Sequence, residues 1–178
     1  MVEYTTVSAG LRAADTIAKT AAVRLLRAQI ICPGKYVLLF SGELGAVKAV
    51  LDAAREKHAD KLADSFLLGS PHAAVLAALD GVPAPDIPHG ALGSVEVATA
   101  AAAVVAADTA VKAAGVRIVE LRLEREVANK AYVLFTGTVA EVTEAAAHAS
   151  KGARDAGMYL DSAILANPDE KLWKTLLQ

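Results

Sequence analysis

Some segments of this chain have apolar residues at helical spacing, and others have the apolar runs typical of strands. The same order of segments occurs twice. Apolar residues at helical spacing predict helices over 10–22 and 43–58, and over 101–114 in the second half. Runs of branched and aromatic residues between the helices predict strands. The predicted strands are 2–6, 23–31, 36–40 and 65–68, followed by 94–98, 116–124, 132–135 and 162–165. Each half is therefore expected to run strand, helix, strand, strand, helix, strand, helix.

A short last helix is predicted in each half from a polar residue that precedes a proline. These pairs are Ser70-Pro71 and Asn167-Pro168. Serine and asparagine are favoured N-cap residues, and proline is favoured at the first helical position. The two pairs therefore predict the start of each last helix.

The residues themselves repeat, as well as the pattern. Lys35-Tyr36-Val37-Leu38-Leu39-Phe40 returns as Lys130-Ala131-Tyr132-Val133-Leu134-Phe135, and Ala14-Asp15-Thr16 with Lys19 returns as Ala107-Asp108-Thr109 with Lys112. The offset between copies grows from 93 to 97, so the insertions fall between elements, where loops accept them. The repeat predicts two tandem domains, 1–81 and 91–178, joined by a proline-rich linker over 82–90.

Composition narrows the class of protein. Hydrophobic residues make up 54% and charged residues 21% of the chain, and its mean hydropathy is +0.38. Such an apolar composition favours a subunit that buries much of its surface against neighbours, so we expect an oligomer. A net charge of −2 argues against nucleic-acid binding. The most apolar run, 97–107, is too short to cross a bilayer, so no membrane partner is expected.

The chain carries little catalytic chemistry. The histidines, at 58, 72, 89 and 148, have no metal-ligand spacing, and no Ser/His/Asp set, phosphate-binding glycine loop or Cys-x-x-Cys is present. No signal sequence is recognised, and one cysteine fits a reducing cytoplasm. The sequence therefore does not predict an enzyme.

The copies differ in reactive residues at one place, just before the strand that begins with the matched lysine. The first copy has Cys32-Pro33-Gly34, which holds the only cysteine, where the second has residues 125–129. An isolated cysteine is more often a small packed side chain than a ligand. From the residues alone, both interpretations of Cys32 stay open.

Together these residues resemble the bacterial microcompartment shell-protein family, in its tandem-domain, trimer-forming class. The resemblance rests on Ala14-Asp15 to Lys19, on Ala107-Asp108 to Lys112, and on the glycines that follow the matched strands, Gly42 and Gly137. A branch of this class from propanediol-utilisation compartments carries Ile-Cys-Pro-Gly-Lys, matched here by residues 31–35, and a tryptophan in its last helix, matched by Trp173. The family's Pro-Arg-Pro-His motif is absent, since Gly69-Ser70-Pro71-His72 and Ala166-Asn167-Pro168-Asp169 stand there.

The resemblance implies an α/β (α+β) fold. Each of its two domains would have a small antiparallel sheet flanked by helices, a variant of the ferredoxin-like fold. Three chains would form a flat, pseudohexameric homotrimer that tiles, with other shell proteins, the shell of a microcompartment in the bacterial cytoplasm. Lys19 and Lys112 would lie at tile edges.

The resemblance also implies a role for the loop that holds the cysteine. Cys32, Pro33 and Gly34 would line the central pore, where Cys32 from three subunits would bind one 4Fe-4S cluster per trimer. Encapsulated redox enzymes would be further partners. Three hypotheses follow: a tile with a redox-active cluster, a tile whose metal-free pore passes small molecules, and a free-standing oligomer that binds a small ligand.

Overall fold

The computed structural model describes residues 1–81, 87–123 and 130–177. The chain divides into two compact units. Unit 1 contains Met1–Gly69, and unit 2 contains Ser70–Leu123 and Lys130–Gln178. The first part of the predicted linker, 82–86, and the second-copy loop at 125–129 lie outside the described residues.

Unit 1 is a four-stranded antiparallel sheet with two helices. Its elements are β1 (Val2–Tyr4), α1 (Val7–Thr20), β2 (Arg24–Ile31), β3 (Lys35–Ser41), α2 (Leu44–Lys57), a 3-10 turn (Ala59–Lys61) and β4 (Leu62–Ser65). The strand order is β2-β3-β1-β4, so β2 and β4 are the outer strands.

One face of this sheet forms the core with α1 and α2. Tyr4, Leu38 and Phe40 project from the strands to this face and pack against Ile17 of α1 and Leu51 of α2. The alternate strand positions lie on the opposite face, because successive strand side chains point to opposite sides. Helix α1 begins where the Thr6 side chain accepts a hydrogen bond from the backbone amide of Ala9.

Unit 2 repeats this arrangement with two additional helices, α3 (Ala73–Leu79) and α6 (Glu170–Leu176). Its elements are α3, β5 (Ala91–Val97), α4 (Ala100–Ala113), β6 (Arg117–Arg122), β7 (Ala131–Gly137), α5 (Val139–Asp155), β8 (Tyr159–Leu165) and α6. The strand order is β6-β7-β5-β8, the same as in unit 1. The predicted order of elements is therefore confirmed in both copies.

Helix α3 packs against β6 and α4, so it belongs to unit 2. In the sequence, however, α3 ends the first repeat. The predicted first domain, 1–81, thus contains a helix whose packing partners are in the second repeat.

Two local predictions were wrong. The last strand of the first copy covers Leu62–Ser65 rather than 65–68, because the short β1 pairs Val2 with Ser65 and Tyr4 with Leu62. Pro71 and Pro168 are not at the first helical position. The N-cap residues are His72 and Asp169, whose side chains accept hydrogen bonds from backbone amides, so each proline precedes its cap.

Candidate functional site

The Cys32 loop is the turn of the β2–β3 hairpin. The backbone amide of Gly34 donates a hydrogen bond to the carbonyl of Ile31 at 2.9 Å, which closes a four-residue turn. The Cys32-Pro33 peptide bond is cis, as in turns with proline at the third position. Gly34 has φ +96°, a backbone region that other residues rarely adopt. The side chain of Cys32 is exposed at the tip.

Lys35, the first residue after this turn, is bound to a buried carboxylate. Its ammonium lies 2.9 Å from Oε1 of Glu3 on β1, and the Glu3 side chain is fully buried. The second copy places Lys130 and Glu96 at the equivalent positions, at 3.8 Å and much more exposed. The ammonium of Lys35 is therefore held by an ion pair inside unit 1, and not by the turn itself.

The donor set of one chain does not fit an iron–sulfur cluster. Cys32 is the only thiol. Among the described residues, no group of three His, Cys, Asp or Glu side chains could hold a metal ion. Clusters of this kind are held by several thiolates. Only a symmetric assembly could bring enough cysteines to one point.

The two predicted tile-edge lysines have different surroundings. Lys19 on α1 pairs with Asp15 at 2.7 Å, and both side chains are exposed. Lys112 on α4 also pairs with the aspartate four residues before it, Asp108, but that carboxylate is buried. In addition, Lys112 donates a hydrogen bond to the carbonyl of Ser70 at 2.7 Å.

Sequence reasoning missed a contact of the last helix. Trp173 of α6 is buried, and its ring is stacked on that of His89 with 5.1 Å between centroids and 3° between planes. The resemblance singles out the tryptophan, whereas His89 is one of four histidines scattered along the sequence. His89 and Trp173 are far apart in the sequence, so no local pattern indicates that their rings are in contact.

The comparisons with known proteins agree with the repeat. The bacterial microcompartment (BMC) domain family matches residues 1–71 and 91–168. The chain belongs to this shell-protein family. The bacterial microcompartment shell protein PduT of Citrobacter freundii is 34% identical over 178 residues, which cover all of this chain and 96% of the relative.

Two solved structures extend the similarity to the fold. A microcompartment protein from Desulfitobacterium hafniense DCB is 35% identical, with a TM-score of 0.83 over 97% of this chain and 96% of that one. The fused permuted hexameric shell protein of the RMM microcompartment is 29% identical, with a TM-score of 0.60 over 86% and 77% of the two chains.

Membership of the BMC family confirms several predictions. The protein is a structural component of a microcompartment shell in the bacterial cytoplasm and not an enzyme. The two tandem α/β domains are those of this family. Within the described residues, the helices are too short or too polar to cross a bilayer.

Proposed function

We propose that this BMC protein is a homotrimeric shell tile and that its β2–β3 hairpin tips surround the central pore. Full-length similarity to PduT supports a tile of that type. The chain also has two BMC domains, so three chains would supply the six domains of a pseudohexamer. Lys19 and Lys112 are proposed tile-edge residues, since the first is exposed and the second about half-exposed.

The exposed turn of Cys32, Pro33 and Gly34 is the observation that carries the pore assignment. The chain has one cysteine, which is exposed and lies in the first copy, so a trimer would present three such thiols rather than six. A threefold axis through the turn would gather three Cys32 thiolates.

Three thiolates on one axis can bind three irons of a 4Fe-4S cluster. We therefore propose Cys32 as its ligand in the trimer, with one cluster per trimer. When bound, such a cluster supplies a redox centre that can pass electrons across the shell, to or from encapsulated redox enzymes. Gly34 would let the backbone adopt the turn near a crowded axis, and Pro33 would fix its direction.

A metal-free pore is the alternative, and the donor set of the single chain favours it. With one exposed thiol per chain, Cys32 could simply form part of a narrow passage for small molecules. Colour and iron content distinguish the two functions.

The test is the iron and acid-labile sulfide content of anaerobically reconstituted trimer. Cys32→Ser removes the thiol. Pro33→Ser is the matched control, because it alters the same turn but keeps the Cys32 thiol. About four irons and four sulfides per trimer, lost only in Cys32→Ser, would establish the cluster. The absence of iron from wild-type trimer would leave the metal-free pore.

A further inference from the structure

The turn that carries Cys32 extends beyond the strand that supports the rest of its hairpin. Strand β1 ends at Tyr4, which pairs with Tyr36, so Lys35 is the first residue of β3 to have no partner on β1. On the other side, β2 is an outer strand of the sheet. In the described part of unit 1, residues 31–35 are therefore flanked by no third strand. A tip of only two strands is weakly held unless something ties it to the sheet behind it.

One ion pair ties this tip back to β1. Glu3 on β1 pairs with Val37 on β3, and Lys35 lies two positions before Val37. The side chains of Glu3 and Lys35 are thus diagonal neighbours on one face of the sheet, a separation that long side chains can bridge. The ammonium of Lys35 lies 2.9 Å from Oε1 of Glu3. The first residue after the turn is therefore bound to the strand that ends before the turn.

The surroundings of the ion pair make this connection firm. The Glu3 side chain is fully buried, and that of Lys35 is 16% exposed. Ile31, which is opposite Lys35 on β2, lies on the same face as Val37, and both are buried. Little water can replace either partner, so separating the charges costs more here than at an exposed site. The tip cannot swing away from β1 without breaking this buried contact.

The second copy holds its equivalent pair loosely. Lys130 and Glu96 are 3.8 Å apart, and their side chains are 51% and 39% exposed. In the sequence, Glu124 and Tyr132 stand where the first copy has its flanking isoleucine and valine. The copy that carries the cysteine is thus the copy that carries the buried ion pair.

We propose that Glu3 and Lys35 are positioning residues for Cys32, because their buried ion pair fixes the direction of the turn. A site shared by three chains needs its groups held to within about 0.5 Å, so each turn must present its thiol at the same point. This inference rests on the proposed position of the turn at the pore, and it names the residues that hold the thiol there.

A nitroxide spin label on Cys32 tests this role, because the chain has one cysteine and that residue is exposed. Partial labelling, in which most trimers carry a single label, gives the mobility of the turn from the electron paramagnetic resonance line shape. Lys35→Met and Glu3→Gln each break the ion pair and should shift the spectrum towards the narrow lines of a mobile label. Lys130→Met, the same change in the exposed pair, should leave the spectrum as in wild type.

A second label position separates positioning of the turn from a general loosening of unit 1. Leu44→Cys with Cys32→Ser places the label on an exposed residue at the start of α2. Helix α2 packs on the face of the sheet opposite to the ion pair, so Lys35→Met should not change this spectrum. Glu3→Gln guards against a Lys35→Met chain that does not fold. A gain in mobility at both label positions, or at neither, overturns the positioning role.

Full labelling separates this inference from the proposed function. Three labels gathered at the pore of a trimer should broaden the spectrum by dipolar coupling, and partial labelling should remove that broadening. A wild-type trimer without broadening overturns the pore position of the turn, while the mobility at Cys32 still decides the role of the ion pair. Broadening in wild type, with no gain in mobility in Lys35→Met or Glu3→Gln, overturns the positioning role and leaves the pore.

Discussion

Replacing Lys35 with methionine should destabilise the protein far more than the same change at its repeat equivalent, Lys130. Lys35 lies 2.9 Å from the fully buried Glu3 carboxylate, and its own side chain is mostly buried. Removing one partner of a buried ion pair costs about 3–5 kcal/mol, because a desolvated charge loses its counter-ion. Since the Lys35 side chain keeps some contact with water, we expect about 3 kcal/mol.

Lys130→Met is the matched control, because the repeat supplies the same residue pair in an exposed setting. Lys130 and Glu96 are 3.8 Å apart, and both are well exposed. Exposed ion pairs contribute about 0–1 kcal/mol. Urea unfolding followed by far-UV circular dichroism, at one fixed protein concentration, gives the free energy of unfolding of each variant.

A further double variant tests the cause of the loss. Replacing both partners with apolar residues, as in Glu3→Met with Lys35→Met, should recover most of the lost stability, since no buried charge remains. Equal losses for Lys35→Met and Lys130→Met would refute the reasoning. So would a double variant that is no more stable than Lys35→Met.

Three other predictions concern the packing of single residues. Burial raises the pKa of Tyr4 to about 12, and its hydroxyl donates to the carbonyl of Ala54 at 2.9 Å. Because the Tyr4 hydroxyl holds its proton more tightly in the folded state than in the unfolded state, the protonated hydroxyl stabilises the fold. This contribution is complete below pH 10 and is lost as the pH rises towards 12. Unfolding curves should show that this loss is larger in wild type than in Tyr4→Phe by about 2–3 kcal/mol over that window. Gly10→Ala should cost about 1–3 kcal/mol in thermal or urea unfolding, because the added methyl group would overlap the Tyr36 side chain. Gly45→Ala, with open space around it, should instead stabilise by about 0.5–1 kcal/mol. Trp173→Ala should cost about 3–5 kcal/mol of unfolding free energy, since the ring is buried and stacked on His89; a loss below 1 kcal/mol would contradict that packing.

The order of the elements could be predicted from the sequence because each carries its own periodicity. Helix α2 illustrates this, since the residues at helical spacing in 43–58 are Leu44, Val47, Val50, Leu51 and Ala54. All of them are buried in the structure except Leu44, which is exposed at the start of the helix. The ends of elements were less predictable. The first residue of β4 depends on its pairing with β1, which is a tertiary contact, and local propensity favoured the more apolar residues that follow.

The hairpin tip was located from the sequence because the two copies differ there. The ion pair between Glu3 and Lys35 was not, because it joins residues on different strands that are 32 positions apart. The packing partner of α3 could not be predicted from the sequence either. Its apolar residues predict a buried face, but nothing in the pattern of 73–79 indicates which sheet buries it.

The packing of α3 in unit 2 has a consequence for where the chain can be divided. A cut in the linker at 82–86 would follow the repeat, but it would separate α3 from β6 and uncover Ile118 and Leu123. A cut after Gly69 would keep α3 with the strand that it covers. A soluble fragment of the second half should therefore begin near Ser70 rather than near Ala91. The unit that duplicates in the sequence and the unit that folds are offset from each other by one helix.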